Sequence, residues 1–194
     1  MTRLLIATTN PGKQREFRRL LAQVPAELVT PGEIGLDLDV DEPHDTYAEN
    51  AVAKADAYAA ASGLLTVADD SGIEIAALGW GPGVRSARWG GGRNAERVLE
   101  ALGDEPDRRA RMVCVVAVAG PTAGSETATF EGVVEGSVAA ERRGTGGFGY
   151  DPIFLLPSGR TTAELPEADK DRLSHRGRAV AAALPKLRER LATK

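Results

Sequence analysis

The sequence predicts an α/β fold with an elongated, mixed β-sheet and flanking helices. In its first half, short apolar segments alternate with helical segments, which is typical of a sheet built from strand and helix units. Two longer strands are predicted at 109–119 and 127–137. Because the segment 120–124 between them contains glycine and proline, we expect an antiparallel hairpin, and hence a sheet that is not wholly parallel.

The composition of the chain argues against several classes of protein. The 194 residues suit one large domain (1–194) or two closely packed lobes, without a separable linker. A net charge of −4 argues against an extended nucleic-acid surface. No apolar stretch reaches membrane-spanning length, and the apolar N-terminus is too short for a signal peptide, so we expect a cytoplasmic protein without a membrane partner. The single cysteine, Cys114, excludes a disulfide framework and is expected to be a buried, inert thiol rather than a nucleophile.

The N-terminal segment predicts a strand, a tight turn and a helix. The strand is expected at 3–9, the turn at 10–12 and the helix at about 13–22. Free amides and the helix dipole at such a turn favour a phosphate, and Lys13 would add a full charge. The spacing is not that of a Walker A loop, so an ordinary strand-to-helix connection remains an alternative.

An acidic segment precedes the second helix. It contains five carboxylates, at Asp37, Asp39, Asp41, Glu42 and Asp45. Thr46 and Glu49 then form a capping-box pair that opens a helix to about residue 62, closed by Gly63. Asn50 and Lys54 share one face of it, as either a polar surface pair or a face turned towards the acidic segment and a bound phosphate.

A second apolar strand at 64–68 leads into the sequence Asp69-Asp70-Ser71-Gly72, and a further strand-like segment follows at 73–78. Paired carboxylates at the carboxyl end of a strand suit magnesium, which prefers oxygen ligands. The same four residues are also good turn formers, so a turn remains the alternative interpretation.

The glycine-rich run 144–154 would let bare backbone approach a ligand closely. Phe148 and Tyr150 could stack on a ring, and Asp151 could hydrogen-bond its edge. A glycine-rich turn that ends at Pro152 is the alternative. We also expect a helix at 94–102.

The last helix is expected to begin at Ser174 as its N-cap. His175 and Arg176 would then lie in its first turn, where cations need an anion or a carboxylate partner. With His44 as the only other histidine, a histidine-based zinc site is not expected.

Five segments together resemble the inosine/xanthosine triphosphate pyrophosphatase family, in order along the whole chain. They are Thr8–Lys13, Ala68–Gly72, Pro82–Arg88, Gly144–Phe154 and Ser174–Gly177. The resemblance implies two α/β lobes around a central active-site cleft, a homodimer and a requirement for magnesium. It also implies hydrolysis of ITP, dITP and XTP to the monophosphate and pyrophosphate.

The resemblance assigns roles to individual residues. Asp70 would accept the proton of the attacking water and bind magnesium, with Asp69 in support and Lys13 beside them. Glu42 or Asp41 would share the metal; both remain candidates because Pro43-His44 replaces the family's usual Thr-Gly. The triphosphate would be bound by Thr8, Thr9, Asn10, Pro11, Gly12 and Lys13, with further positive charge from Lys54, Lys170 and Arg176. Ser71 would also bind the substrate. The purine would be bound by Phe148, Gly149, Tyr150 and Asp151, with His175 and Arg176.

Two other functions remain open from the residues alone. A nucleotide sensor would use the same phosphate and purine contacts without a placed base and metal. A phosphohydrolase of another class would release inorganic phosphate instead of pyrophosphate.

Overall fold

The computed structural model describes residues 2–122 and 126–192. Its strands are β1 (Arg3–Ile6), β2 (Glu27–Val29), β3 (Leu65–Ile75), β4 (Gly81–Pro82), β5 (Arg109–Ala119), β6 (Ala128–Val138) and β7 (Phe154–Leu155). Its helices are α1 (Pro11–Leu20), α2 (Tyr47–Ser62), α3 (Ser86–Trp89), α4 (Asn94–Leu102), α5 (Glu167–Leu173) and α6 (His175–Ala192). Short 3₁₀ turns lie at Gly32–Ile34, Ala76–Leu78, Gly83–Arg85 and Thr162–Glu164.

The strands form one mixed sheet in the order β2-β1-β3-β5-β6-β7, with β4 paired to β3. β1 runs parallel to both β2 and β3, whereas β4 is antiparallel to β3 and β7 is antiparallel to β6. The predicted mixed α/β fold is therefore confirmed. β5 and β6 are neighbours, as a hairpin requires, but residues 123–125 of the predicted turn lie outside the described part of the chain.

The chain divides into two compact units. The first contains the residues up to Asp70, Cys114–Gly132 and the residues from Arg178 onward; the second contains Ser71–Val113 and Val133–Gly177. Strands β3, β5 and β6 each begin in one unit and end in the other. Each unit has its own buried cluster, which includes Phe17, Val116 and Ala183 in the first and Ile73, Val98, Met112 and Phe154 in the second.

The first strand and helix differ from their predicted bounds. β1 ends at Ile6 rather than at residue 9, and α1 begins at Pro11 and ends at Leu20 rather than spanning 13–22. The early start has a local cause: the fixed φ of proline suits the first helical position, and Asn10 caps the helix.

The segment around the paired carboxylates is one continuous strand. β3 runs from Leu65 to Ile75, so both a turn at 69–72 and a separate strand at 73–78 are wrong. Asp69 and Asp70 lie in the middle of β3 and are 0% and 5% exposed. Partners from other segments bind both carboxylates, as described below, and these tertiary contacts outweigh the turn preference of the four residues.

The other helix predictions hold closely. α2 is capped by Thr46, whose Oγ1 accepts from the Glu49 amide, and it ends at Gly63 with a φ of +65°. α4 has the predicted bounds. Ser174 caps α6, because its Oγ accepts from the Gly177 amide at 3.1 Å. In the described part of the chain, no helix is long and apolar enough to cross a membrane.

Candidate active site

The turn before α1 is held by its own side chains. The Asn10 Oδ1 accepts hydrogen bonds from the Gly12 amide at 2.8 Å and the Lys13 amide at 3.1 Å. The Thr8 Oγ1 accepts from the Asn10 amide at 3.2 Å. The amides that we expected to be free for a phosphate are thus already capped, which corrects that expectation. Anion binding here would depend on the Lys13 ammonium and the helix dipole.

Lys13 is tied to the first of the paired carboxylates. Its Nζ lies 3.1 Å from the Asp69 Oδ2, and the two side chains are 16% and 0% exposed. The Cys114 Sγ lies 3.7 Å from the same oxygen, and Cys114 is buried as predicted. The buried Asp69 carboxylate therefore holds the Lys13 ammonium at the N-terminal end of α1.

Asp70 sits among groups that act on its charge in opposite directions. Burial raises its pKa above the ordinary value, and the neighbouring Glu42 carboxylate raises it further. A hydrogen bond from Asn50, with 3.0 Å between Nδ2 and the Asp70 Oδ2, and the charges of Lys13 and Lys54 act against that rise. A carboxylate with a raised pKa is a stronger base than an exposed aspartate.

One face of α2 turns towards the acidic segment. The Lys54 Nζ contacts the Glu42 Oε1. Burial by itself would lower the pKa of Lys54, but the charges of Asp69, Glu42 and Asp70 outweigh burial and raise it. Of the two interpretations for Asn50 and Lys54, the face towards the acidic segment is therefore the one observed.

The donor chemistry of this cluster fits a hard cation. Among the residues that the structure describes, no group of three or more His, Cys, Asp or Glu side chains is arranged to hold a metal ion. Glu42 and Asp70 nevertheless interact electrostatically, whereas Asp41 is exposed. Magnesium commonly takes one or two carboxylates and completes its shell with water and substrate phosphates. The two carboxylates fit that mode of binding rather than a closed protein cage.

In the second unit, Asp151 is the centre of a buried hydrogen-bond network. Its Oδ2 accepts from the Phe148 amide at 2.6 Å and pairs with the Lys170 Nζ at 2.6 Å. Its Oδ1 accepts from the Thr162 Oγ1 at 2.8 Å. Because Asp151 and Lys170 are only 3% and 5% exposed, the carboxylate fixes both the loop and the lysine.

Two cations face the ring of Phe148. The Lys170 Nζ lies 5.2 Å from the ring centroid and the Arg176 guanidinium carbon 5.7 Å from it. The Arg176 Nη2 also donates to the Ser71 Oγ at 2.9 Å. Arg176 and His175 are both buried at the start of α6. The second unit thus combines an aromatic face with donors that could bind the edge of a planar ligand.

Tyr150 lies in the core of the second unit. Its hydroxyl donates to the Ser86 carbonyl at 2.8 Å, and burial raises its pKa to about 12. The tyrosine thus has a structural role, and its contact with a purine stays a prediction.

The glycines of the run 144–154 serve different purposes. A Cβ on Gly144 would lie 2.5 Å from the Ala163 carbonyl carbon, and one on Gly147 would lie 2.2 Å from the Asp151 Oδ2. Gly149 has a φ of +61° and would meet no atom within 4 Å. Two of the glycines are therefore required by contacts within the protein itself, and of these three only Gly149 leaves room for the predicted close approach of a ligand.

Sequence reasoning did not include Asn50 among the site residues, although its amide contacts Asp70 directly. The available signal was its position four residues before Lys54 on the helix that follows the acidic segment. Thr162, which binds Asp151, was also missed, because nothing local distinguishes it from another threonine in a loop.

Comparison with known proteins gives a consistent result over nearly the whole chain. The model of the Ham1 family matches residues 4–186. A dITP/XTP pyrophosphatase of Symbiobacterium thermophilum is 48% identical over 193 residues, which cover 95% of this chain and 94% of that protein. A dITP/XTP pyrophosphatase of Staphylococcus aureus is 40% identical and 93% of each chain is covered.

Solved structures of proteins with related names are also similar to this chain. A HAM1 protein from Coxiella burnetii has a TM-score of 0.83 at 38% identity, with all of both chains covered. A nucleoside-triphosphatase, dITP/XTP pyrophosphatase, from Mycobacterium abscessus has a TM-score of 0.73 at 41% identity and covers 95% of this chain and 100% of its own.

Proposed function

This chain belongs to the Ham1 family, and we propose that it hydrolyses non-standard purine nucleoside triphosphates, namely ITP, dITP and XTP, to the monophosphate and pyrophosphate. The names of its relatives, which are dITP/XTP pyrophosphatases, support two of these substrates. The observation that carries the chemistry is the buried Asp70, which is surrounded by Glu42, Lys13 and Lys54. The enzyme would remove these nucleotides before they enter DNA or RNA.

The reaction requires water to attack the α-phosphorus while pyrophosphate leaves. Asp70 would accept the proton of that water, because burial and the neighbouring Glu42 carboxylate raise its pKa in the metal-free protein and so favour proton uptake. Glu42 and Asp70, with Asp41 as the alternative to Glu42, would hold Mg²⁺. When bound, the metal would neutralise charge on the phosphates.

The lysines of the first unit would bind the triphosphate. The raised pKa of Lys54 keeps its ammonium charged at neutral pH. Lys13, which is held by Asp69, would add a second charge at the N-terminal end of α1, where the helix dipole also favours an anion. Electrostatic positioning of this kind is the main protein contribution to phosphoryl and nucleotidyl chemistry.

The second unit would recognise the purine. Phe148 would stack on the ring, and the donors of His175 and Arg176 would face its edge. Hypoxanthine and xanthine present a 6-oxo acceptor, whereas adenine presents an amino donor there. A buried donor that loses its acceptor can discriminate by about four to five orders of magnitude, which would exclude ATP.

The family resemblance also supports a homodimer, and we propose that the protein forms one in the cytoplasm, where the nucleotide pool lies. Light scattering on purified protein would then give about twice the 20.4 kDa mass of the chain. A mass equal to that of one chain would contradict the dimer.

Product analysis tests the activity. The purified protein is incubated separately with ITP, GTP and ATP, with and without magnesium. The nucleotide products are separated by chromatography and pyrophosphate is assayed. We expect IMP and pyrophosphate from ITP in magnesium, and little product from GTP or ATP. Diphosphate with inorganic phosphate would indicate another class of hydrolase, and ITP binding by folded protein without turnover would indicate a sensor.

A further inference from the structure

Asn50 combines complete burial with three hydrogen bonds to functional segments. It is 0% exposed on α2. Its Oδ1 accepts from the His44 amide at 3.0 Å, and its Nδ2 donates to the His44 carbonyl at 3.2 Å and to the Asp70 Oδ2 at 3.0 Å. One side chain therefore binds both the backbone of the acidic segment and a carboxylate in the middle of β3.

We propose that Asn50 is a positioning residue, which holds the Asp70 carboxylate and the acidic segment that carries Glu42 in one fixed arrangement. The inference rests on the proposed function for its catalytic consequence. The two hydrogen bonds between Asn50 and the backbone of His44, called the clamp below, do not depend on that function.

The chemistry of the side chain fits this role. A neutral amide offers donors and an acceptor at once, and Asn50 uses both kinds of group. An aspartate would keep the acceptor for the His44 amide, but it would lose both donated bonds and place a second negative charge against Asp70. An alanine would lose all three bonds. The aspartate variant therefore keeps only the bond from the His44 amide, whereas the alanine variant loses every contact of this side chain with the acidic segment and with Asp70.

A second contact from the same helix supports the arrangement. Lys54 lies one turn further along α2 and binds Glu42, two residues before His44. α2 thus contacts the acidic segment at two points, the Glu42 carboxylate and the His44 backbone. Because bound geometry controls rate steeply, a shift of Glu42 relative to Asp70 should impair turnover more than substrate binding.

Asn50→Ala and Asn50→Asp test the proposal. In each variant kcat for ITP should fall by roughly 10²-fold, the typical cost of a displacement of about 1 Å, while KM changes much less. Amide hydrogen exchange at His44, measured by NMR without nucleotide or metal, should be slow in the wild type and in Asn50→Asp and fast in Asn50→Ala.

Thr46→Ala is the matched control. It removes the cap of the same helix but leaves the bonds of Asn50 in place. We expect lower stability with unchanged kcat and slow exchange at His44. An equal loss of kcat in Thr46→Ala would overturn the proposal, because any weakening of α2 would then suffice.

Two further results would overturn it. One is wild-type kcat in folded Asn50→Ala and Asn50→Asp; if the alanine variant does not fold, the aspartate variant decides. The other is fast exchange at His44 in the wild type, which would show that the clamp does not form. If the wild type does not hydrolyse ITP at all, the proposed function fails, and the exchange measurements still test the clamp.

Discussion

At Asp70, the protein buries a carboxylate in the middle of a strand, next to a second carboxylate from Glu42. Both features disfavour its charged form, and the Asn50 amide and two lysines only partly offset them. Such surroundings reduce the stability of the fold at neutral pH, a cost that active sites commonly carry in exchange for reactivity. They also make Asp70 the residue whose replacement is most informative.

Asp70→Asn should reduce kcat for ITP by about 10²- to 10⁴-fold, the usual contribution of a general base. Binding of the nucleotide should persist, because Lys13 and Lys54 remain. Steady-state kinetics and calorimetric titration would check both parts. Full turnover in the variant would show that Asp70 is not the base.

The same substitution should change how stability depends on pH in the metal-free protein. Because the pKa of Asp70 is raised in the fold, the folded state holds this proton more tightly than the unfolded state. The stability from that difference is present below the ordinary pKa of 3.8, and it is lost as the pH rises through the folded value. The Asp70→Asn variant has no carboxyl group at this position, so it does not lose this stability as the pH rises.

We therefore expect the asparagine variant to gain stability relative to the wild type as the pH is raised towards neutrality. Denaturant unfolding in the presence of a chelator, at a series of pH values, would measure the difference. A difference that is independent of pH would contradict the raised pKa.

At the scale of elements, the glycine-rich run 144–154 shows how backbone conformation and packing act together. Gly147 and Gly149 both have positive φ, of 69° and 61°. Only Gly147 lies so close to Asp151 that a methyl group could not be placed without moving the carboxylate. The two positions thus form a natural pair for comparison.

Gly149→Ala should cost about 1–2 kcal/mol, the penalty for a left-handed conformation. Gly147→Ala should cost about 1–3 kcal/mol more, because Asp151 must give up buried hydrogen bonds. Thermal or urea unfolding of both variants would test this order. Equal losses would show that the Asp151 network tolerates displacement.

Strand β3 illustrates the limit of local sequence reasoning at the same scale. Asp69, Asp70 and Ser71 favour turns when they are considered alone. In the fold, Lys13 pairs with Asp69, Asn50 donates to Asp70 and Arg176 donates to Ser71. Asn50 lies 20 residues from Asp70 along the chain, and Arg176 lies 105 residues from Ser71. The strand therefore depends on contacts that a short stretch of sequence does not contain.

At the scale of the whole molecule, the net charge of −4 does not by itself exclude the binding of an anion, because binding depends on where the cations lie, and Lys13 and Lys54 lie near Asp70. A non-hydrolysable ITP analogue with magnesium, at about a hundredfold excess over its Kd, should stabilise the fold by about 2.7 kcal/mol. For a chain of this size that corresponds to a rise in Tm of roughly 5–11 °C.

The matching ATP analogue at the same concentration is the control, and it should raise the Tm much less because adenine presents the wrong group at its edge. Scanning calorimetry would measure both. Equal shifts for the two analogues would contradict recognition of the 6-oxo group, although they would leave phosphate binding intact.

The sequence by itself determined the α/β class, the bounds of α4 and the caps of α2 and α6, because alternation of apolar residues, capping residues and glycine stops act within a few positions along the chain. It also placed Asp70, Lys54 and Arg176 in a candidate site through the family resemblance. Tertiary structure alone decided that β3 is continuous, that Asp151 is the centre of a network and that Asn50 joins His44 to Asp70. Each of these depends on contacts or backbone geometry that form only in the folded chain, and many of them join residues far apart in sequence, where local propensity has no information.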